Sequence, residues 1–275
     1  MTRIAVLQTT TGIDPEVNAA ALVAGVELAA RGGAKMLFTP EMSGLLDRDR
    51  DRAAPHIVAE EESAVLGAVR EAAGAFGLWV ALGSLAIAHT DGRWPNRSFV
   101  IDDSGAIVAR YDKIHMFDVE LATGEAWRES AAYVPGEAVV TADTPVGRLG
   151  LAVCYDVRFP ALFEELGRRL CDVISIPAAF TVPTGQAHWH LLQRARAVEA
   201  SSYVVAAAQV GGHPDGRHTF GHSLVVDPWG EVLLDMGGDA PGLAFAEIDP
   251  RRIVEIRRQL PSLANRRPIP RSSLA

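Results

Sequence analysis

Four side chains in this sequence stand where chemistry is commonly found: Glu41, Lys113, Glu129 and Cys154. Cys154 lies in G-L-A-V-C-Y-D-V-R-F-P at 150–160. Leu149, Leu151, Ala152 and Val153 make an apolar strand. Phe159-Pro160 opens a helix, with proline where a missing N–H costs nothing. A thiol between a strand end and a helix start meets outward-pointing N–H groups and partial positive charge. Such a position lowers a thiol's pKa and can hold an anionic oxygen. The other reading of Cys154 is a small core residue, since free cysteines are commonly buried. Glu41 follows the apolar run M-L-F-T, Lys113 ends a hairpin strand, and Glu129 sits in a long irregular stretch. A thiol nucleophile needs a base, and the oxyanion made by its attack needs a cation. Glu41 and Lys113 are of those types, although each taken singly also reads as a loop or surface charge.

The elements around these residues follow from apolar spacing and turn chemistry. Arg3–Gln8 reads as a strand. Asp14-Pro15 caps a helix carrying Val17, Ala20, Ala21, Ala24 and Leu28 at helical spacing, stopped by Gly32-Gly33. Lys35–Thr39 is a short buried strand, Asp47–Arg52 a charged loop, and Glu60–Phe76 a helix ended by Gly77. Leu78–Ala86 is a strand. Ser98–Asp102 and Ala106–Tyr111 flank a D-D-S-G hairpin turn. Ile114–Gly136 is irregular, and a loop of that length in a compact chain is usually functional.

Ala138–Thr144 and Arg148–Val153 form a second hairpin. A helix over Pro160–Arg169, a strand over Asp172–Pro177, a helix over Ala187–Ala200 and a strand over Tyr203–Gln209 come next. Gly211–Gly221 is a Gly- and His-rich loop. His222–Asp227, Glu231–Met236 and Ala244–Ile248 are strands, and Asp249-Pro250 caps a basic helix to Gln259. Each half therefore runs strand–helix–strand–helix–strand and then a hairpin. Near-continuous apolar strands imply sheets covered on both faces. The expected fold is an α/β sandwich of α-β-β-α layers with pseudo-symmetric halves, one domain over 1–259 with an irregular tail over 260–275.

Bulk properties narrow the function classes. The chain has 275 residues, 48% of them hydrophobic, and a net charge of −8. That charge argues against nucleic-acid binding, which needs a clustered basic surface. No apolar run reaches the ~18 residues of a membrane helix. The first residues enter a strand at once, without the apolar region of a signal peptide. The two cysteines, Cys154 and Cys171, are expected reduced in a cytoplasmic protein, with a disulfide between them as the alternative.

Glu41 in F-T-P-E, Lys113 in R-Y-D-K-I-H-M-F-D and Cys154 in its strand–helix link resemble the Glu–Lys–Cys triad of the nitrilase superfamily of carbon–nitrogen hydrolases. The resemblance runs through P-A-A-F-T-V-P-T-G-Q-A-H-W (177–189), L-L-Q-R-A-R-A-V-E (191–199), Y-V-V-A-A-A-Q (203–209) and G-H-S-L-V-V-D-P-W-G-E-V (221–232). It is sharpest to the Nit-type branch, which includes omega-amidases and amidases of deaminated glutathione. R-E-S at 128–130 matches that branch's second glutamate, giving Glu129 a supporting role. A-A-Q followed by R-H-T-F-G-H resembles the deaminated-glutathione side more closely. The chain departs from the branch at His190, where H-W-E is common, at Ser201-Ser202, and at its end, which lacks D-L-Y.

The resemblance implies a cofactor-free hydrolase that opens a short linear amide through a thioester. Cys154 would be the nucleophile, mostly a neutral thiol at rest, and Glu41 the base. Lys113 and the Tyr155 N–H would hold the oxyanion. Deaminated glutathione is the substrate implied first. 2-Oxoglutaramate, N-carbamoyl amides and nitriles are alternatives within the superfamily, and a non-catalytic metabolite-binding protein is the alternative outside it. A carboxylate end on the substrate needs a cation. Arg158, Arg194 and Arg196 are candidates, with Phe180, Thr181 and His188 as further substrate contacts. Arg194 and Arg196, two apart on a helix, cannot share a face. At least a homodimer is implied, with Phe159–Arg169 and the tail at the contact.

Two rival chemistries find less support. A serine hydrolase needs G-x-S-x-G, and G-H-S-L-V at 221–225 lacks the second glycine. His213, His218 and His222 suggest a metal site, but no cysteine or acidic partner completes a zinc pattern in the sequence. Trp189 and Trp229 read as packing residues.

Overall fold

The Asp14 carboxylate accepts from the amides of Glu16 (2.9 Å) and Val17 (3.4 Å), so the first helix starts where its cap predicts. The structure is a computed structural model that describes residues 1–89, 92–120, 124 and 126–270. Its first half contains β1 (Thr2–Gln8), α1 (Pro15–Arg31), β2 (Met36–Phe38), α2 (Ala64–Phe76), β3 (Trp79–Ala86), β4 (Trp94–Ile101) and β5 (Ile107–Asp112). The second contains β6 (Thr141–Thr144), β7 (Gly147–Leu151), α3 (Pro160–Arg168), β8 (Val173–Ser175), α4 (Val182–Ala200), β9 (Tyr203–Ala206), β10 (Leu224–Val226) and β11 (Val232–Asp235). β12 (Gly242–Ile248) and α5 (Pro250–Gln259) follow.

The strand orders are β12-β1-β2-β3-β4-β5 and β6-β7-β8-β9-β10-β11. Each sheet has an antiparallel edge, three parallel strands and two antiparallel ones. The expected likeness of the halves is thus repeated strand for strand. Along β1, Ile4 and Val6 join the core between the sheets, while Ala5 and Leu7 join Leu22, Val26, Leu66 and Val69 of α1 and α2. Both faces of the strand are covered, so its apolar run is continuous. On the second sheet, Phe163 and Leu166 of α3 and Ala197 of α4 close the other side. The layers are α-β-β-α.

Several boundaries and one face differ from expectation. The buried side of α1 is Asn18, Leu22, Gly25, Val26 and Ala29. Val17 and Leu28 are 64% and 55% exposed. Apolar residues surround most of this helix, so spacing alone does not select a face. Asn18 is buried because it serves the loops beside it, donating to the carbonyls of Gly12 (3.0 Å) and Gly44 (2.9 Å). α2 starts at Ala64, where Ser63 Oγ accepts from Leu66 N at 3.3 Å. Glu60–Glu62 form a separate 3₁₀ turn. α4 starts at Val182, five residues before the expected point, because Pro183 fits a first helical turn. Arg50–Ala53, which begins inside the expected loop Asp47–Arg52, is a helical turn capped by Asp49. Val210–Gly212 and His218–Phe220, also read as loop, pair as a ribbon. Within 114–136, Asp118–Glu120 pairs with Ala126–Arg128, and Tyr133–Val134 adds to β4. Residues 121–123, 125 and 271–275 of the expected loop and tail lie outside the described residues.

Candidate active site

Beyond β7 the chain stays paired with the extension of β8, as Ala152 N donates to Ser175 O (3.1 Å) and Cys154 N to Pro177 O (2.8 Å). Cys154 then turns sharply, with φ of 46°. A non-glycine residue in the left-handed region costs about 1 kcal/mol or more and persists only where its surroundings enforce it. Asp156, fully buried, does the enforcing. Its Oδ2 accepts from Val153 N (2.9 Å) and Tyr111 Oη (2.7 Å). Its Oδ1 accepts from His115 N (3.0 Å) and His115 Nδ1 (2.7 Å). The His115 ring stacks on Phe159 at 3.6 Å. One carboxylate therefore ties the cysteine turn to the end of β5, which carries Lys113. Burial and the Asp156 charge push the Tyr111 phenol well above its ordinary pKa, so it remains a donor. Tyr111→Phe is expected to cost about 1–3 kcal/mol of stability, the cost of an orphaned buried acceptor. A denaturant midpoint equal to that of the parent would contradict this account.

Glu41 leaves the end of β2 and is 4% exposed; Lys113 is 2% exposed. Lys113 Nζ donates to Glu41 Oε1 (3.1 Å) and to Glu129 Oε1 and Oε2 (2.9 and 2.8 Å). The second Glu41 oxygen accepts from Ala179 N (2.8 Å), and Glu129 Oε2 accepts from Phe117 N (2.6 Å). Asn96 Nδ2 bridges the carboxylates, 2.9 Å from Glu41 and 3.4 Å from Glu129. Asn96 Oδ1 is buried and finds no partner among the described residues. The sequence reading gives Asn96, Tyr111 and Asp156 no role in the site. Each has polar or charged neighbours in the sequence, and only its burial distinguishes it from surface.

Protonation follows from this arrangement. Burial acts to lower the Lys113 pKa, but Glu129 and Glu41 outweigh it and hold the amine well above its usual value. Burial, then the charge of Glu41 and its hydrogen bond, push the Cys154 thiol well up against the opposing pull of Lys113. The helix-start effect that would lower it is overridden. The site at rest holds an ammonium and a neutral thiol. Alkylation of Cys154 by iodoacetamide is therefore expected to accelerate by about tenfold per pH unit through pH 9. A plateau near neutrality would indicate a resting thiolate instead.

These groups meet at a cavity of about 800 Å³ lined by Glu41, Asn96, Lys113, Glu129, Tyr133 and Cys154, with Tyr155, Phe180 and Thr181 in its wall. Arg158 and His188 are not brought to it. Arg158 lies over the rings of Phe180 and Tyr155 (5.3 and 5.9 Å) and approaches His188 Nδ1 at 3.4 Å. Arg194 donates to Gly230 O (2.7 Å), and Arg196 to Val157 O (2.7 Å) and Glu199 (2.5 Å). The basic side chains that do reach the cavity are Arg48, Arg50, Lys113, Arg128, Arg217 and His218. The sequence reading missed the arginines because they sit in three segments read as loops. Nothing in their spacing shows that the segments converge.

The histidine triplet is likewise dispersed. The rings of His213 contact Thr11 O (2.9 Å) and Thr219 Oγ1 (2.7 Å), His218 lines the cavity, and His222 lies outside it. Cys154 and Cys171 are both free. Among the described residues no helix is long and apolar enough to cross a membrane.

The family profile described as carbon–nitrogen hydrolase matches residues 3–258. The deaminated glutathione amidase of Yersinia enterocolitica is 39% identical over 267 residues, covering 96% of this chain and 92% of the relative. The crystal structure of the C. elegans NitFhit protein superposes with a TM-score of 0.89 at 36% identity, covering 97% of this chain and 65% of that one. Saccharomyces cerevisiae Nit3, a member of branch 10 of the nitrilase superfamily, gives a TM-score of 0.85 at 27% identity, covering 94% of both chains.

Proposed function

Because the chain belongs to the carbon–nitrogen hydrolase family, as an amide-cleaving member, we propose that it hydrolyses deaminated glutathione to 2-oxoglutarate and Cys-Gly through a thioester on Cys154. One arrangement carries the proposal: a thiol, a carboxylate and an ammonium from three distant segments share one cavity, with Lys113 Nζ 3.1 Å from Glu41.

In the first half-reaction Cys154 Sγ attacks the amide carbon as Glu41 takes the thiol proton. The carbonyl oxygen becomes an oxyanion facing the Lys113 ammonium and the Tyr155 N–H, an amide in a first helical turn without an intrahelical acceptor. A unit-charge pair at 4 Å is worth about 4 kcal/mol at an effective dielectric of 20. Half of that changes a rate by more than about tenfold. Glu41 then gives its proton to the departing nitrogen, the C–N bond breaks, and the thioester remains. Water attacks it, Glu41 takes the water proton, the C–S bond breaks, and the sulfur recovers its proton. Glu129 positions Lys113 throughout. Asn96, donating to both carboxylates, keeps them apart from each other and facing the amine.

Deaminated glutathione carries a carboxylate at each end. The arginines at the cavity, Arg48, Arg50, Arg128 and Arg217, suit such a dianion. The deciding measurement is kcat/KM on a panel of deaminated glutathione, 2-oxoglutaramate, N-carbamoyl amino acids and simple nitriles, with Cys154→Ala as blank. The first is expected to be best, and a nitrile turned over faster than every amide would overturn the assignment. The protein acts as at least a homodimer in the cytoplasm, where the thiol stays reduced. Large apolar side chains exposed on the single chain, Leu191, Val198, Trp229, Val254 and Leu260, support an assembly. Trp229 was expected to pack but is 53% exposed. A monomer in sedimentation would remove this part of the proposal.

A further inference from the structure

Outside the cavity lining, three side chains that the proposed reaction does not use converge from three elements. His190 projects from α4, His222 follows the 218–220 strand, and Asp235 ends β11. His190 Nε2 is 2.9 Å from Asp235 Oδ2, and His222 Nδ1 is 2.9 Å from Asp235 Oδ1. The ligating atoms of all three lie within 4.8 Å of one another, the one such group of three among the described residues. We propose that His190, His222 and Asp235 form a binding site for a divalent transition-metal ion, zinc foremost, with water completing the coordination.

The donor set fits that chemistry. Two imidazoles and a carboxylate suit zinc, and three protein ligands plus water is an ordinary open zinc arrangement. Tetrahedral zinc with bonds of about 2.0–2.1 Å holds its ligand atoms about 3.3 Å apart. The two N···O gaps would each open by only about 0.4 Å. Each imidazole would turn a lone pair to the ion and keep its proton on the far nitrogen.

The donors are also held in place. His222 has φ of 54°; its N–H donates to Gly237 O (2.8 Å), and its carbonyl accepts from Trp189 Nε1 (2.8 Å). Its ring stacks on Phe220 at 4.4 Å, with His190 edge-on at 5.1 Å. Gly237 N donates to Asp235 Oδ1 at 2.9 Å. The side chains are 26–39% exposed, so an ion can enter from solvent.

The test is calorimetric titration of zinc into the full chain carrying Cys154→Ala, which removes the accessible thiol as a competing ligand. One ion per chain is expected, with a Kd on the order of 10 µM or tighter. In the same background, His190→Ala and Asp235→Asn should each weaken binding at least about tenfold. Both positions are partly exposed, and a thermal melt reports whether the variants fold. Zinc should raise the Tm of the parent and not that of His190→Ala. Absence of saturable binding, or an unchanged Kd in the folded His190→Ala protein, would overturn the site. Neither readout depends on amidase turnover.

Discussion

Cys154→Ala is expected to lower kcat/KM on the preferred amide by at least about 10⁴-fold, because it removes the one thiol among the described residues lining the cavity. The fold should hold. The residue is 8% exposed, and the change deletes one sulfur beside a carboxylate that already has three donors, Asn96, Lys113 and the Ala179 amide. Alanine meets the same left-handed backbone strain as cysteine, so that contribution cancels. Mass spectrometry of the parent in slow-turnover conditions should show the acyl adduct, and the variant should show none. Turnover by the variant within tenfold of the parent would mean that water attacks the amide directly and that the sulfur is a bystander.

Lys113→Met has the second-largest expected effect, and it falls on stability as well as rate. Methionine keeps much of the stem and removes the charge. Glu41 and Glu129, which share the ammonium at 2.8–3.1 Å, would then face one another with only Asn96 between them. Removing one partner of a buried charge cluster costs about 3–5 kcal/mol. Losing the cation opposite a developing oxyanion costs about 10²–10³ in kcat. The sign of the pH dependence follows from the raised Lys113 pKa. A base whose folded pKa is raised contributes its full stability below its unfolded value, here 10.5, and loses it only as pH climbs through the folded value. The deficit of the variant should therefore be level from pH 7 to pH 9 as far as Lys113 is concerned. A chemical-denaturation midpoint within experimental scatter of the parent would show that the ammonium is not what holds the two carboxylates.

The legible parts of this molecule were those written in local pattern. Continuous apolar strands ending in Glu41 and Cys154, and the Asp14-Pro15 and Asp249-Pro250 helix starts, depend on neighbours within a few residues. The layered sandwich followed from the alternation of those strands with helices. What escaped depends on distant chain. Asn18 is inside because two loops need its amide. Asp156 is inside because Tyr111, forty-five residues earlier, points a hydroxyl at it. Arg158 looked well placed two residues beyond Asp156, yet the 3₁₀ turn carries it out over Phe180 and towards His188. The arginines of the cavity wall could not be picked from segments 47–52, 114–136 and 211–221, because loop convergence leaves no periodic trace. His190 was noticed only as a departure from a motif. Its meaning needed Asp235, forty-five residues on.

The pairing of β12 with β1 bears on how the chain is made. Thr2–Gln8 leaves the ribosome more than two hundred residues before its outer partner, Gly242–Ile248. Until then the outer edge of β1 presents unpaired backbone groups on an apolar ribbon, the kind of surface that recruits other chains. A nascent chain halted before residue 242 would keep that edge open, so termination there should yield insoluble product rather than a shortened but active enzyme.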